Sequence, residues 1–236
     1  MAYSYKILIL TENHARRRDF WDSFHGMDGK VPVMAIARHR IGIDGTGVHT
    51  LVCFPGCPLS CRFCINPETT WPEDRFPHYT PGELLEKLRV DDLYFRATGG
   101  GITFGGGEPL LRADFITRFR ALCDWTIDLE TSLNVPPPMV EKVLNATGHF
   151  FVDVKDMDPE VYLAYTGKDN ALVLENLRLL APRADDCTIR LPLIPGYNTD
   201  AHRDRSETAL REMGFTRFDR FNYKTDIRDG KRKTDL

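Results

Sequence analysis

Short apolar runs of strand length alternate along the chain with segments in which apolar residues recur at helical spacing. Six strands are predicted, at 49–54, 101–104, 126–130, 150–155, 187–193 and 218–223, with a further candidate at 5–10. Helices are predicted from 80 onward, over 113–123 and 138–145, from 158 onward, and over 170–181 and 201–213. Residues 11–34 give little signal in either period.

Two helix features make specific structural predictions. Thr80-Pro81-Gly82-Glu83 has the spacing of a capping box, with proline in the first helical position. The apolar positions expected to face the core of their helices are Leu84, Leu85 and Leu88; Phe115, Ile116, Phe119 and Leu122; and Leu174, Leu177 and Leu180.

Strands that alternate with helices predict parallel βαβ units with right-handed crossovers, and hence an α/β fold. Six strands are too few for a closed eight-stranded barrel, so a partial (β/α)6 barrel is predicted. A doubly wound open sheet is the alternative that the pattern leaves open. One domain is predicted over 35–236, preceded by an N-terminal extension, 1–34, of undefined role.

Composition narrows the class of protein. The 236 residues are 42% hydrophobic and 28% charged, as in globular proteins with a core, and the formal charge of −3 gives no case for nucleic-acid binding. The basic run at 224–233 is interpreted as a solvated tail. No signal peptide or membrane-spanning stretch is evident, and clustered thiols favour a reducing compartment, so we expect a cytoplasmic monomer.

Three cysteines, Cys57, Cys61 and Cys64, fall within eight residues directly after a predicted strand. Three thiolates can hold three corners of a [4Fe–4S] cube and leave one iron open to a small ligand. Structural zinc is the alternative, but it normally takes four ligands. Cys53 lies in an apolar run and is predicted to be a buried strand residue. His49 and His78 are other conceivable ligands without a convincing spacing.

Polar residues follow the ends of the other predicted strands. The active sites of parallel α/β proteins form at the carboxyl ends of the strands, so these residues are expected to meet in one site. They are the turn Gly105–Gly107 with Glu108, the pair Glu130-Thr131, Asp153 with Lys155, and Arg190. The alternatives are structural: helix capping, a pair between Lys155 and either Asp153 or Glu130, or a pair between Arg190 and an acidic helix.

The cysteine spacing, Phe63 before the third cysteine, and Asn66-Pro67-Glu68 together resemble the radical S-adenosylmethionine (SAM) superfamily. The resemblance implies a [4Fe–4S] cluster on Cys57, Cys61 and Cys64. It also implies SAM bound to the open iron and cleaved to a 5′-deoxyadenosyl radical. Gly106-Gly107-Glu108 resembles the motif that holds the amino group of SAM in that superfamily, and Phe63 is placed in the same cofactor site.

Later segments resemble the glycyl-radical-enzyme activating enzymes, of the pyruvate formate-lyase activating enzyme type. This resemblance implies a monovalent or divalent cation beside SAM, held by Glu130, Thr131, Asp153 and the carbonyl of Phe151. Lys155 and Arg190 would contact SAM. The implied reaction is hydrogen abstraction from a glycine of a partner glycyl-radical enzyme under anaerobic conditions, with a flavodoxin or ferredoxin as reductant.

Asp44-Gly45-Thr46-Gly47 resembles the Asp-Gly-Pro-Gly element of the activating enzymes, which implies that Asp44 engages the glycine loop of the substrate. The chain departs from the family pattern at several positions. Ile65 stands where histidine is common, Thr46 replaces proline, and Leu133 replaces a glycine. Lys224 stands near the position of a SAM-contacting histidine.

Two other functions remain open on the sequence. One is a radical SAM enzyme that acts on a small molecule or peptide, similar to 7-carboxy-7-deazaguanine synthase. The other is a non-catalytic iron–sulfur or zinc protein. No cysteine lies between Cys64 and Glu108, and only Cys123 and Cys187 follow, so a single cluster is predicted.

Overall fold

The computed structural model describes residues 29–223. The strand candidate at 5–10, the basic run at 224–233 and Lys224 lie outside the described residues. Val31 and Val33, at the end of the predicted N-terminal extension, are buried in the same core as the rest of the chain.

Nine strands are found in this part of the chain, two of them only two residues long. They are β1 Val31–Pro32, β2 Ala35–Ile41, β3 Val48–Phe54, β4 His78–Tyr79, β5 Gly101–Gly106, β6 Thr126–Thr131, β7 His149–Asp153, β8 Cys187–Leu193 and β9 Phe218–Asn222. The six predicted strands correspond to β3 and β5 to β9, with ends within two residues of prediction. β1 pairs with β4 in a small antiparallel ribbon.

The main sheet has the order β2-β3-β5-β6-β7-β8-β9, and the six strands from β3 to β9 are parallel. A doubly wound sheet reverses its strand order, whereas here spatial order follows chain order throughout. Arg190 on β8 lies 3.5 Å from the carbonyl oxygen of Ile43, which precedes β3. This contact between strands that are not neighbours in the sheet indicates that the sheet is curved. These features confirm the partial (β/α)6 barrel.

The edge strand β2 was not predicted. It runs antiparallel to β3, and its register shifts between Ala37 and Arg40. His39 lies at this bulge with a φ of 57°, which breaks the period-two alternation that sequence analysis relies on.

The helices lie between the parallel strands, as predicted. They are α1 Pro81–Leu88, α2 Asp92–Thr98, α3 Ala113–Arg120, α4 Pro137–Val143, α5 Pro159–Thr166, α6 Ala171–Leu180 and α7 Asp200–Glu212. One helix, α2, was not predicted. The capping box is confirmed, since Thr80 Oγ1 accepts from Glu83 N and Glu83 Oε2 accepts from Thr80 N. Within 29–223, none of the helices is both long enough and apolar enough to cross a bilayer.

One core prediction is wrong and another only partly holds. Leu122 is 51% exposed because α3 ends at Arg120, so the helical spacing no longer applies two residues later. Leu174 is only partly buried, whereas Leu177 and Leu180 are fully buried.

The two faces of the parallel strands differ in chemistry. Side chains alternate across a strand, so one set faces the helices and the next set faces the barrel interior. The helix-facing set is apolar and buried and includes Val52, Phe104, Leu129, Phe150 and Ile189. The alternate positions carry Cys53, Glu130, Asp153 and Arg190, and this inward face holds the candidate site.

The α3 boundary can be tested by paired substitutions. Phe119→Ala removes a fully buried ring that packs on Phe104, so it should lower the free energy of unfolding by about 3–5 kcal/mol. Leu122→Ala should change it by no more than about 0.5 kcal/mol, because the side chain is largely exposed. Urea denaturation measures both values, and equal losses would contradict the helix end at Arg120.

Candidate functional site

The cysteine loop follows β3 and is held on α5. Ser60 N donates to Thr166 O at 2.8 Å, and Arg62 N donates to Tyr165 O at 3.2 Å. Cys57 and Cys61 are half-buried, whereas Cys64 is exposed. Burial raises the pKa of the Cys57 thiol, and the neighbouring charges of Glu108, Cys61 and Cys64 raise it further. The three cysteines thus share one loop anchored on α5, in which Cys64 N donates to Cys61 O at 3.2 Å.

Hydrogen bonds join the cysteine loop to the turn after β5. Gly107 N donates to Phe54 O at 2.9 Å, Glu108 N to Gly56 O at 2.8 Å, and Asn66 Nδ2 to Gly106 O at 2.9 Å. A Cβ on Gly107 would lie 2.1 Å from Gly56 O, so only glycine allows this approach. The cysteine loop and the glycine-rich turn thus form one structural unit. Asn66 links them through its hydrogen bond to Gly106, forty residues later in the sequence.

Glu108 is buried within this unit and accepts four hydrogen bonds. Its donors are Thr131 Oγ1 at 2.7 Å, Ser132 Oγ at 2.7 Å, Ser132 N at 2.9 Å and Leu110 N at 3.2 Å. Burial raises the pKa of Glu108, while these donors lower it. Hydrogen bonds to a carboxylate favour its charged form, so these donors oppose the larger effect of burial and fix the carboxyl group of Glu108 in place. Sequence analysis missed Ser132, which has no distinctive spacing.

Leu133 explains how the chain tolerates the absence of the family glycine. It adopts a φ of 58°, in the left-handed region that favours glycine. Leu133 N donates to Thr131 Oγ1 at 2.9 Å, and Asn176 Nδ2 donates to the carbonyl oxygens of Leu133 and Val135. The buried leucine side chain and these bonds hold the turn that presents Ser132 to Glu108.

Glu130 and Arg190 form an ion pair on the inward face. Arg190 Nη1 lies 2.7 Å from Glu130 Oε1, and the guanidinium lies 4.7 Å from the centre of the Phe151 ring. Burial raises the pKa of Glu130, and Arg190 opposes that shift. The structure therefore pairs Arg190 with an inward-facing strand residue rather than with an acidic helix.

Lys155 lies between Asp153 and the cysteine loop. Its Nζ is 3.3 Å from Asp153 Oδ2, and the residue is only 8% exposed. Burial on its own lowers the pKa of Lys155, but Asp153, Tyr223 and Cys61 raise it overall, so the ammonium stays charged. Burial raises the pKa of Cys61, and the positive charge of Lys155 opposes this by favouring the thiolate.

Phe63 belongs to an aromatic group beside the cysteines. Its ring centre lies 6.2 Å from Tyr165, 6.0 Å from Tyr197 and 6.4 Å from Tyr223. The three tyrosines come from distant segments, so no local sequence pattern could have identified them. Together the four rings form an apolar wall next to Lys155, whose Nζ lies 5.8 Å from the Tyr223 ring centre.

The predicted cation ligands Glu130, Thr131 and Asp153 lie on neighbouring strands but are already engaged. Glu130 binds Arg190, Thr131 donates to Glu108, and Asp153 binds Lys155. Among residues 29–223, no three His, Cys, Asp or Glu side chains are gathered as a preformed metal site.

The candidates for a fourth zinc ligand have other partners. Burial and the charge of Glu130 raise the pKa of Cys53 to about 11, and Arg40 opposes this shift. His49 is hydrogen-bonded inside the barrel to Thr103 and Thr46. His78 Nδ1 bonds with Phe76 O. Cys53 is thus a buried strand residue, as predicted.

Asp44 is fully buried, in the loop between β2 and β3. Arg40 binds both of its carboxylate oxygens, with Nη2 at 2.9 Å from Oδ1. The neighbouring Ile43 carbonyl lies next to Arg190. The loop therefore reaches into the barrel beneath the Glu130–Arg190 pair, and the carboxylate of Asp44 has a cationic partner there.

Comparison with known proteins gives a consistent family. Residues 51–206 match the radical SAM superfamily. The chain is 30% identical to the (2S)-3-sulfopropanediol dehydratase activating enzyme of Klebsiella oxytoca, over 72% of this chain and 74% of the relative. It is 31% identical to the pyruvate formate-lyase 2-activating enzyme of Escherichia coli K12, over 78% and 73%.

Solved structures support the fold. Streptococcus suis SuiB bound to S-adenosylmethionine has a TM-score of 0.58 at 17% identity, over 75% of this chain and 40% of SuiB. The anSMEcpe structure with bound AdoMet has a TM-score of 0.53 at 18% identity, over 78% and 54%. At these identities the likeness concerns the fold alone.

Single cysteine substitutions test the assignment of the loop. Cys57→Ala, Cys61→Ala and Cys64→Ala should each lose the cluster, because two thiolates do not hold the cube, whereas the parent chain should bind about four irons. Cys53→Ala should keep its iron and lower the free energy of unfolding by about 1–2 kcal/mol. The iron content of each variant is measured after anaerobic reconstitution. Loss of iron in Cys53→Ala would show that a cluster ligand has been misassigned.

Proposed function

Because the chain belongs to the radical SAM superfamily, we propose that it is the activating enzyme of a glycyl-radical enzyme. The observation that carries the proposal is the similarity, at about 30% identity and over more than two thirds of both chains, to relatives named as activating enzymes. A [4Fe–4S] cluster and SAM follow from the superfamily. When bound, they supply one electron and a 5′-deoxyadenosyl radical, which takes a hydrogen atom from a glycine of the partner.

The donor set of the chain fits the cluster. Cys57, Cys61 and Cys64 would be its ligands, since they share one loop at the spacing of the superfamily. Within residues 29–223 their side chains are not gathered as a preformed metal site, so cluster binding would draw them together. Lys155 favours the thiolate of Cys61, which is the form that binds iron. Cys64 is exposed and Ile65 is 56% exposed, so this part of the loop lies at the surface. A flavodoxin or ferredoxin would approach the cluster there.

The residues around Glu108 fit SAM. Gly106, Gly107 and Glu108 would hold its amino group, because Glu108 is a buried acceptor fixed by Leu110 in the turn after β5 and by Thr131 and Ser132 at the end of β6. Lys155 and Arg190 are cations on the same inward side and would contact its carboxylate. Phe63 and the neighbouring tyrosines would exclude water from the reacting region, which is the contribution that cofactor enzymes require of the protein.

The substrate assignment extends the proposal to a protein partner. Two relatives are named as activating enzymes of (2S)-3-sulfopropanediol dehydratase and of pyruvate formate-lyase 2, and we propose that this chain, as a monomer, acts on a glycine loop of a partner enzyme. Asp44 would engage that loop only after it releases Arg40, because both of its oxygens are bound in this structure.

A cation beside SAM is a separate part of the proposal. Glu130, Thr131 and Asp153 supply oxygen ligands, which hard cations prefer. Binding would require Glu130 to leave Arg190 and Thr131 to leave Glu108, so the site would form together with SAM binding.

Substitution of one cation ligand tests this idea. Asp153→Asn should weaken SAM binding about tenfold, the loss expected when a charged hydrogen-bonding group is removed, and leave iron content unchanged. Activity of the parent enzyme should also differ between Na⁺, K⁺ and Mg²⁺. Asp158→Asn is the matched control, because asparagine also caps α5 at that position. Unchanged SAM affinity in Asp153→Asn, with no response to cations, would contradict a cation site.

The activity itself can be tested with a peptide. Reduced enzyme should cleave SAM slowly alone and faster with a glycine-containing peptide from a partner enzyme, and a glycyl doublet should appear in the EPR spectrum. The same peptide with alanine in place of glycine is the control and should give no doublet. Stimulation by a small molecule without a protein radical would contradict the proposal.

A further inference from the structure

His49 lies at the floor of the barrel, away from the cysteine loop. It is the second residue of β3, and its side chain is buried in the interior. Its Nδ1 lies 3.0 Å from Thr103 Oγ1, and its Nε2 lies 3.1 Å from Thr46 O. Asp128 Oδ2 is 3.8 Å from the same Nε2.

The hydrogen-bond partners of His49 fix which atoms donate. Thr103 Oγ1 lies 2.7 Å from the carbonyl oxygen of Asp44, which can only accept, so the single hydroxyl hydrogen is used there. The Nδ1 of His49 must then donate to Thr103 Oγ1. Thr46 O is also a carbonyl oxygen, so Nε2 must donate as well. An imidazole that donates from both nitrogens is an imidazolium.

Neither neutral tautomer satisfies these contacts. With a hydrogen on Nε2 alone, Nδ1 can only accept. If the Thr103 hydroxyl turns to donate to Nδ1, then Thr103 Oγ1 and Asp44 O lie 2.7 Å apart with no hydrogen between them; if it does not turn, the lone pair of Nδ1 faces Thr103 Oγ1. With a hydrogen on Nδ1 alone, the lone pair of Nε2 faces both the carbonyl of Thr46 and the carboxyl of Asp128. Each arrangement brings acceptors together in a buried space, where unpaired polar groups are costly.

We propose that His49 is held as an imidazolium by two acceptors, Thr103 Oγ1 and Thr46 O, and that it positions the Asp44–Gly47 loop against the barrel. Through this loop it supports the Glu130–Arg190 pair, because Arg190 touches the Ile43 carbonyl. His49 is a positioning residue. The inference concerns protonation within the chain itself and is independent of the proposed function.

The loop backbone is packed directly against this pair. A Cβ on Gly45 would lie 2.5 Å from His49 Nε2 and 2.6 Å from Asp128 Oδ2, so no side chain fits between them. Asp44, His49, Thr103 and Asp128 are all at most 2% exposed, so these polar groups are shielded from solvent.

The charges that face His49 partly offset its desolvation. Burial has the largest effect and leaves the pKa of His49 lowered, although its bond to Thr46 and the charge of Asp44 oppose this. The hydrogen-bond geometry, rather than the surrounding charge, is therefore what favours the imidazolium. Burial also raises the pKa of Asp128 to about 7. Arg40, the register partner of His49 on β2, is neutralised by Asp44. Among the described residues Asp128 Oδ1 has no hydrogen-bond partner, while Asp128 Oδ2 lies 3.8 Å from His49 Nε2 and the backbone amide of His149 lowers the pKa of Asp128.

The chain contains a matched control in His149. It is another inward histidine, the register partner of Asp128 on β7, and in the described part of the chain its Nε2 bonds with Thr188 Oγ1 at 2.8 Å while its ring packs on Phe151. Burial lowers the pKa of His149, as do the charges of Arg217, Arg183 and Arg190, with Asp186 acting in the opposite direction. At pH 8, where a free imidazole is neutral, His149 should therefore be neutral and His49 protonated.

Nitrogen NMR of the holoenzyme labelled with ¹⁵N-histidine tests the protonation state. At pH 8 the His49 signals, assigned by their loss in His49→Gln, should show both nitrogens protonated, and the His149 signals should show a neutral ring. A neutral tautomer at His49 would overturn the proposal. The protonation state is read from the parent enzyme, and His49→Gln serves to assign its signals.

Hydrogen exchange tests the positioning role. In His49→Gln, backbone amides of residues 43–47 should exchange at least about tenfold faster, as expected for loss of a charged donor, while His149→Gln should leave them unchanged. Thr103→Val, which removes the bridging hydroxyl, should act in the same direction. His49→Arg restores a fixed cation and should recover part of the protection. Unchanged exchange in both His49→Gln and Thr103→Val would overturn the positioning role.

Discussion

The arrangement of the site depends on the strict alternation of side chains along six parallel strands that follow one another in chain order. Each strand presents apolar residues to the helices and polar residues to the interior, so the sheet separates a dry core from a charged cavity. Parallel pairing places the ends of successive strands at one edge. Glu108, Glu130, Asp153 and Arg190 meet there although they span eighty residues of sequence.

Inside this cavity nearly every charge has a specific partner. Glu130 pairs with Arg190, Asp153 with Lys155, and Asp44 with Arg40. Buried ions without partners are costly, so the interior is stable only because opposite charges come from different strands and loops. Because these charged side chains are already paired, a charged ligand can bind them only by replacing one member of an existing ion pair.

The sequence predicted the elements that obey simple periods and missed those set by tertiary contacts. The parallel strands and the capping box at Thr80 were predictable because local patterns specify them. The edge strand β2 was missed because its bulge at His39 interrupts the alternation, and Leu122 was misplaced because α3 ends early. The tyrosines around Phe63 and the role of Ser132 arise only when distant segments meet.

The attachment of the cysteine loop to α5 has a consequence for the order of assembly. The amides of Ser60 and Arg62 bind two of the last carbonyls of a helix that ends about a hundred residues later in the chain. Contacts at such separation form late, since the intervening chain must first be ordered. During synthesis, the loop therefore remains without its anchor until the second half of the barrel has emerged, and the thiols reach their final arrangement among the last parts of the domain.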